Sequence, residues 1–438
     1  MPTPAPKRRA PRQVPRSSRG TTHPRRLAWL AVVGSGALLL SACGGVANQS
    51  ANAGANSGDC GDEIVIGAPY PLSGPLAEFG TNSLQGMRVA ADEVNASGGI
   101  ASLGGAKLKV VQEDTSSSDV AQAKSAATKS IKSDHAVALV GAWFSNLTTT
   151  VSTVAQEARV PLVTQAWADS LSQRKYEYYF QPPPKSSQIG GAATSDVLAA
   201  ARAAGHKFTR IAAVGPNDTA NTQQITTAIQ AFKAAGVAAK DPEFYQPGIA
   251  DATPIVNRIV EQNPDLVLMS GPPADVTLII KGLRARGLDA PILGFGGAFV
   301  APSLGKTLGD DVNGLMAVGA WNDDLPLDGV AQASAAYKKQ FNAPFMPMEA
   351  GESWVNVHLI AEAMNQAKTC DPDKIASQLH SMHVTSGPAA AMPGGEVSFD
   401  QDGTNPHAVP VLTQWTDGVP KTVWPQKYAT VQLTLGAR

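Results

Sequence analysis

From residue 62 onward, the chain alternates short apolar runs rich in β-branched residues with longer segments of helical periodicity. The first run, 64–67, is followed by apolar residues at intervals of three and four between Leu84 and Val94, a spacing typical of a helix. The run 136–140 is entirely apolar, as in a strand that is buried on both faces of a parallel sheet. The alternation therefore predicts an α/β protein with doubly wound parallel sheets.

A run of three prolines at 182–184 divides this pattern in two, because neither a helix interior nor a central strand accommodates it. The alternation resumes behind it, and about 375 residues exceed what one hydrophobic core usually takes, so we expect two lobes. The predicted strands are 64–67, 108–111, 136–140, 161–164, 211–214, 266–269, 291–294, 314–318, 397–399 and 409–415. The predicted helices are 84–94, 120–131, 148–158, 188–204, 223–235, 254–261, 274–286, 352–367 and 373–380.

The N-terminal region has the layout of an export signal. Eight basic residues and no acidic one precede an uncharged apolar run, 27–40, which is shorter than the roughly 20 residues of a membrane-spanning helix. The run ends in Leu40-Ser41-Ala42-Cys43, which resembles the lipobox of bacterial lipoproteins, where the cysteine is acylated and becomes the new N-terminus. We expect 1–42 to be a signal peptide and Cys43 to carry lipid; a buried helix that ends in Ser-Ala-Cys is the alternative.

Residues 43–61 are mostly Gly, Ala, Asn and Ser, a composition that predicts a flexible tether between the anchor and the folded region. Without 1–42, the chain has 27 Lys and Arg against 36 Asp and Glu, a net charge of −9. Phosphate binding needs a basic surface, so this balance argues against a nucleic-acid partner.

Three cysteines occur in the chain. If Cys43 carries lipid, Cys60 and Cys370 remain as a pair in an oxidising compartment, where disulfides persist. The sequence does not supply the separation of their Cα atoms, so a Cys60–Cys370 disulfide and two free thiols both stay open.

Motifs typical of enzymes are absent from the sequence. It contains no G-x-S-x-G nucleophile turn, no Walker A loop, no H-E-x-x-H and no C-x-x-C. His380 and His383 are three residues apart, but no third ligand stands at a recognisable spacing, so we expect neither a metal site nor a cofactor. A function without catalysis is therefore favoured.

The loop 69–80 (Pro-Tyr-Pro-Leu-Ser-Gly-Pro-Leu-Ala-Glu-Phe-Gly) follows the first predicted strand and opens the first helix. Its tip lies where backbone N–H groups favour an anion, although a Pro- and Gly-rich surface loop with one core Phe has the same composition. This loop and several later motifs resemble the leucine/isoleucine/valine-binding family of solute-binding proteins, the extracellular receptors of ABC importers. The later motifs are 93–100, Val140-Gly141 with Ser145, 160–163, 264–267, 282–288, and Gly309-Asp310 with Gly314.

The resemblance, over about residues 64–425, implies a type I periplasmic-binding fold: two Rossmann-like lobes, joined by three hinge segments, that close on a ligand. It implies a lipid-anchored, extracytoplasmic monomer that captures a small molecule and delivers it to an ABC permease. A sensory module that passes the closed state to a membrane receptor is the alternative. The implied division of the chain is lobe 1 at 62–180 and 321–396, lobe 2 at 181–320 and 397–425, and a tail at 426–438.

Ligand-binding positions carry over from the family residue by residue. The first-loop aromatic of the family corresponds to Phe79, and its carboxylate-binding serine corresponds to Ser145, whose N–H would join that of Asn146 in cradling an anion. Ser145 as an ordinary helix N-cap and Trp167 as a core tryptophan are the alternatives. The full set of expected binding residues is Ser73, Phe79, Trp143, Ser145, Asn146, Ala166, Trp167, Asn217 and Trp321.

The second lobe departs from the amino-acid binders of the family, which hold the ligand's ammonium group with an acid. The matching positions here are Ala220-Asn221, Pro272-Pro273 and Gly296-Gly297. The sequence therefore predicts no carboxylate for an ammonium, and burying that cation unpaired would be unfavourable. Together with the aromatic residues of the expected binding set, this favours a small acid or amide over a standard α-amino acid.

Overall fold

The computed structural model describes residues 60–435. The expected signal peptide (1–42), Cys43 and most of the expected tether (43–61) lie outside these residues, as do the last three residues of the expected tail. No helix within 60–435 combines the length and the apolar character that crossing a bilayer requires.

Lobe 1 is built on a five-stranded parallel sheet in the order β2-β1-β3-β4-β5. Its strands are β1 (Glu63–Tyr70), β2 (Lys107–Asp114), β3 (Ala138–Val140), β4 (Leu162–Val163) and β5 (Tyr179–Phe180). The helices between them are α1 (Ala77–Ala96), α2 (Val120–Lys132), α3 (Ser145–Ala158) and α4 (Asp169–Ser172). All three residues of β3 are buried, as its apolar sequence predicts.

Lobe 2 is built on an eight-stranded sheet in the order β15-β14-β11-β10-β9-β6-β7, with β8 also paired to β6. Its strands are β6 (Arg210–Pro216), β7 (Ala238–Ala239), β8 (Glu243–Tyr245), β9 (Leu266–Met269), β10 (Ile292–Phe295), β11 (Met316–Gly319), β14 (Val411–Thr416) and β15 (Val419–Trp424). Its helices are α5 (Ser186–Ala203), α6 (Thr219–Ala234), α7 (Thr253–Val260), α8 (Pro273–Ala285) and α9 (Pro302–Leu308). Within this sheet of the described chain, the β11–β14 and β14–β15 ladders are antiparallel and the other ladders are parallel.

A later segment of the chain packs back onto lobe 1. It contains α10 (Val330–Phe341), α11 (Met348–Ala367), α12 (Pro372–Ser381) and the hairpin of β12 (His383–Val384) with β13 (Val397–Ser398). Helices α10 and α11 lie against α1. A Cβ at Gly86 of α1 would lie only 2.0 Å from the carbonyl oxygen of Ala350, so the absence of a side chain permits this close packing.

The chain passes between the two sheets in three segments of the described region: 181–185 after β5, 320–329 after β11, and 399–410 between β13 and β14. We call them the first, second and third crossing. The first and third lie side by side, because the N–H of Gln181 donates to Gly403 O at 2.7 Å and the N–H of Asn405 donates to Gln181 O at 3.1 Å. The expected class of two doubly wound α/β lobes is therefore confirmed.

Element boundaries differ from the sequence expectation where burial hides the periodicity. Helix α11 begins at Met348, four residues earlier than expected, and 15 of its 20 residues are buried on most sides of the helix, so its apolar residues form no narrow stripe. Helix α10 was missed because its buried face is made largely of small and polar residues. Strand β15 was missed because it contains Pro420, which is tolerated here at the edge of the sheet.

A disulfide joins Cys60 to Cys370, with the two Cα atoms 5.7 Å apart. Of the two alternatives that the sequence leaves open, the structure has the bonded pair. The bridge connects the residues just before β1 to the loop between α11 and α12, and so closes the later segment of lobe 1 onto the start of the lobe.

The bridge should contribute substantially to stability. Cys370→Ser is expected to lower the free energy of unfolding by about 3–5 kcal/mol, since a link between residues 310 apart restricts the unfolded chain. Urea denaturation of the variant, of the oxidised wild type and of the reduced wild type measures this, and the variant should match the reduced protein. Insensitivity of the wild type to reductant would contradict the pairing.

Candidate functional site

A cavity of about 390 Å³ lies between the lobes, where the carboxyl ends of the strands in both sheets face each other. From lobe 1, its lining includes Leu76, Phe79, Ser117, Trp143, Phe144, Ser145, Asn146, Gln165 and Trp167. From lobe 2, it includes Asn217, Asp218, Asn221, Gln224, Gln246, Ser270, Phe295, Gly296 and Gly297. A pocket of this size, mostly apolar with a few polar groups, is typical of a small-molecule site.

Aromatic rings form the lobe 1 wall of the cavity. The rings of Phe79 and Trp143 are stacked, with centroids 4.4 Å apart and planes 11° apart, and Phe144 follows at 6.5 Å from Trp143. Trp143 has φ of +64°, which is rare for a bulky residue and costs roughly 1–3 kcal/mol. Such strain is concentrated at binding sites, and here it turns the indole toward the cavity.

Two glycines of lobe 2 face this wall. A Cβ at Gly297 would lie 3.0 Å from both Phe79 Cε1 and Trp143 Cζ2, and a Cβ at Gly296 would lie 2.9 Å from Trp167 Cζ3. Gly296 also has φ of +66°, which favours glycine. The missing side chains thus let lobe 2 approach the aromatic rings of lobe 1 closely.

Helix α3 begins at the cavity. Ser145 is its first residue, whereas the N-cap position is Phe144, so the alternative of Ser145 as an ordinary N-cap is wrong. The Ser145 hydroxyl oxygen is buried and accepts a hydrogen bond from the Ala168 N–H at 3.2 Å. Because the first amides of a helix have no partner within it, this end of α3 suits an anion or a carbonyl oxygen.

The sequence analysis did not identify an acidic residue of lobe 2 that lines the cavity. Asp218 lines the cavity and caps α6, accepting hydrogen bonds from the N–H and the Nδ2 of Asn221 at 3.1 and 2.6 Å. Burial raises the pKa of this carboxyl above its ordinary value. Lobe 2 therefore does bring a carboxylate to the cavity, at a position outside those that the sequence analysis compared with the family. An Asp directly before Thr219 is typical of a helix N-cap. The sequence analysis did not recognise it, because the predicted helix began at residue 223, four residues after the observed start of α6.

Six of the nine expected binding residues line the cavity. They are Phe79, Trp143, Ser145, Asn146, Trp167 and Asn217. The alternative of Trp167 as a core residue does not hold, since its ring is only partly buried and faces Gly296 of the other lobe.

The other three expected residues lie outside the cavity. Trp321 is 1 % exposed, packs on Gly351 of α11 and donates its Nε1–H to Ala391 O at 3.0 Å, which makes it a core residue. Ser73 is exposed, and its carbonyl oxygen accepts the Ser117 hydroxyl. Ala166 is buried beneath the strand end. The structure therefore does not bring these three residues to the cavity, because a sequence pattern does not give the direction of a side chain at a loop.

The sequence profile of the periplasmic binding protein family matches residues 63–419. The chain belongs to the periplasmic binding protein family.

Individual relatives of this periplasmic binding protein agree with that assignment. Leu/Ile/Val-binding protein homolog 8 of Brucella melitensis is 26% identical over 385 residues, covering 85% of this chain and 93% of that protein. The branched-chain amino acid transporter substrate binding protein LivJ of Streptococcus pneumoniae, in complex with isoleucine, has a TM-score of 0.70 at 22% identity, covering 83% and 100% of the two chains. A solute binding protein of R. palustris, in complex with benzoate, has a TM-score of 0.70 at 19% identity, covering 82% and 95%. The two structures share the fold.

Two buried acids lie behind the cleft of this periplasmic binding protein. Burial raises the pKa of Glu349 from 4.5 to about 8, and it also raises the pKa of Glu352 well above its ordinary value. Glu349 Oε1 accepts a hydrogen bond from Asn82 Nδ2 at 2.7 Å, and Trp167 Nε1 lies 3.5 Å from Glu352 Oε1. Burial thus favours the protonated, neutral form of both acids.

This burial predicts a pH dependence of stability. Between pH 4.5 and about 8, Glu349 holds a proton in the folded state and loses it in the unfolded state, so stability falls as pH rises through this window. Glu349→Gln, an isostere of the neutral acid, should flatten this dependence by up to about 1.4 kcal/mol per pH unit.

Urea denaturation at pH 5, 6.5 and 8 provides the measurement. Glu362→Gln serves as the control, because it also removes a carboxyl group from α11 but at a half-exposed position. An unchanged pH dependence in Glu349→Gln would show that this acid is ionised in the folded protein.

Proposed function

We propose that this chain is the extracytoplasmic solute-binding component of an ABC importer, which captures one small molecule between its lobes and delivers it to a membrane permease. The observation that carries the proposal is the aromatic-walled cavity of about 390 Å³ between the lobes of a periplasmic binding protein. The names of the relatives support the same role, since they include a Leu/Ile/Val-binding homologue and substrate- or solute-binding proteins in complex with isoleucine or benzoate.

Capture works through closure of the lobes. A ligand that contacts both lobes stabilises the closed state by the difference between its affinities for the closed and the open form. Phe79 and Trp143 of lobe 1 face Gly297 of lobe 2, so a molecule in the cavity contacts both. Loss of uptake in a strain lacking the gene would separate the importer from a sensory receptor, which would lose a response and keep the uptake.

The ligand class that the geometry favours is a small aromatic or aliphatic molecule with a carboxylate or amide group. The stacked pair of Phe79 and Trp143 offers a flat apolar surface. The start of α3, at Ser145 and Asn146, offers N–H donors to an anion or a carbonyl oxygen.

One observation favours a second class, the α-amino acids. Asp218 lines the cavity from lobe 2, where a carboxylate could pair with an ammonium group. Both of its oxygens already accept hydrogen bonds from Asn221, and burial raises its pKa, which disfavours the ionised form. These two properties reduce its attraction for a cation, so the small acid or amide is the first choice.

Calorimetry with benzoate and leucine distinguishes the two classes. We expect benzoate to bind more tightly than leucine. Ser145→Ala should weaken benzoate binding by about 1–3 kcal/mol. Asp218→Asn should leave the affinity for benzoate unchanged or improve it. Asp251→Asn, which removes an exposed carboxylate outside the cavity, is the control. Tighter binding of leucine, abolished by Asp218→Asn, would instead establish an ammonium site.

We further propose that Cys43 carries the lipid that holds the protein at the outer face of the membrane. The basic N-terminus, the apolar run and Leu40-Ser41-Ala42-Cys43 support this. Because acylation needs the thiol, Cys43→Ser should move the protein from the membrane fraction to the soluble extracytoplasmic fraction or stall its processing. Immunoblots of the two fractions measure this, and normal processing with membrane retention would contradict the anchor.

A further inference from the structure

Three side chains with metal-binding chemistry meet far from the ligand cavity. Nε2 of His383 lies 2.7 Å from Oε2 of Glu396, and Nδ1 of His407 lies 3.1 Å from Oε1 of the same carboxylate. All three ligand atoms lie within 4.8 Å of one another. Among residues 60–435, this is the one group of three such residues close enough to share an ion.

The backbone holds these residues together. The β12–β13 ladder pairs His383 with Ser398, which brings the β12 strand alongside the residues that follow Glu396. His407 arrives from the third crossing, where its N–H donates to Asn405 Oδ1 at 3.1 Å. A Cβ at Gly394 would lie 2.2 Å from His407 O, so the glycine lets this crossing pack against the hairpin. The group therefore comes from two segments that the fold fixes independently.

The donor set matches one kind of ion. Two imidazole nitrogens and one carboxylate oxygen form a common zinc site, in which water takes the fourth position. Bonds of 2.0–2.2 Å in a tetrahedron place the ligand atoms about 3.3–3.6 Å apart, so the imidazole nitrogens, now 2.7 and 3.1 Å from the carboxylate oxygens, would move apart by less than about 1 Å to hold an ion. The side chains are between one third and one half exposed, so an ion has access from solvent.

We infer that His383, Glu396 and His407 form a binding site for a divalent transition-metal ion of the zinc type. The sequence analysis did not find this site, because it considered His383 only together with His380, three residues away. In the fold, the His380 ring nitrogen instead lies 2.8 Å from Glu177 O, and the third ligand comes from the crossing segment.

The position of the site gives the ion a structural effect. His407 lies on the third crossing, close to Asn405, whose Nδ2 donates to Pro182 O of the first crossing at 3.3 Å. An ion bound by all three residues would join this crossing to the β12–β13 hairpin of lobe 1. Zinc is therefore expected to raise the melting temperature, as does any ligand that binds only the folded state.

Titration of the metal-free, untagged protein with ZnCl2 tests the site. Calorimetry should give one Zn²⁺ per chain with micromolar or tighter affinity. His383→Gln and His407→Gln should each weaken binding by at least about tenfold, whereas His206→Gln, which changes an exposed histidine of lobe 2, should leave it unchanged. Millimolar Ca²⁺ or Mg²⁺ should not displace the zinc, because these ions prefer all-oxygen ligands.

Absence of zinc binding in the wild type would overturn the inference. Binding in both histidine variants that is as tight as in the wild type would also overturn it. In either case His383, Glu396 and His407 would be a hydrogen-bonded group only. Titration of the wild type with Co²⁺ gives a test that needs no variant. Absorption bands of cobalt bound in four- or five-coordinate form support the site, and the spectrum of the hydrated ion alone overturns it.

Discussion

The close contact of α1 with α11 is the constraint on which lobe 1 depends. A Cβ at Gly86 would lie 2.0 Å from Ala350 O, so a larger residue would force the helices apart. Hydrogen bonds reinforce the contact, because the Ser353 hydroxyl donates to Ser83 O at 2.6 Å. The interface joins parts of the chain that are separated in sequence by β6–β11, which form most of lobe 2. Lobe 1 therefore completes its core only after the chain has passed through β6–β11 of lobe 2 and crossed back, and lobe 2 receives β14 and β15 after the third crossing.

The same interface supports one wall of the ligand cavity. Gln165 follows β4 and lines the cavity, yet its Nε2 donates to Glu349 O of α11 at 3.1 Å and its Oε1 accepts the Tyr70 hydroxyl at 2.7 Å. The lobe 1 wall is thus fixed from behind by a buried helix. The lobe 2 wall is built from strand ends and the cap of α6, and it presents glycines where it meets the aromatic rings. Two preformed walls of this kind suit closure by rigid-body movement of the lobes.

Sequence patterns predicted the fold better than the site. Buried strands such as Leu266–Met269 were found to the residue, because a short apolar run between turns has one simple interpretation. Side-chain direction has no such signal. Trp321 and Trp167 look alike in the sequence, but one packs into the core on Gly351 and the other faces Gly296 across the cleft. Asp218 was overlooked because the apolar periodicity of α6 starts one turn after this N-cap residue. An Asp at a helix start is nevertheless a recognisable capping signal in a sequence.

Polar groups stand in the lobe 1 core where apolar residues would give more stability. Oε2 of Glu349 and Oε2 of Glu352 have no hydrogen-bond partner among the described residues, and burial raises the pKa of both carboxyls, which favours their neutral form. Protonation reduces the cost of burial from that of a charge to that of a polar group, but it does not remove it. Proteins tolerate such departures mainly where binding requires them. The backbone carbonyl of Glu349 accepts a hydrogen bond from Gln165, and the carboxyl of Glu352 lies 3.5 Å from Trp167 Nε1. Because Gln165 and Trp167 both line the cavity, the first turns of α11 support the binding site as well as the core.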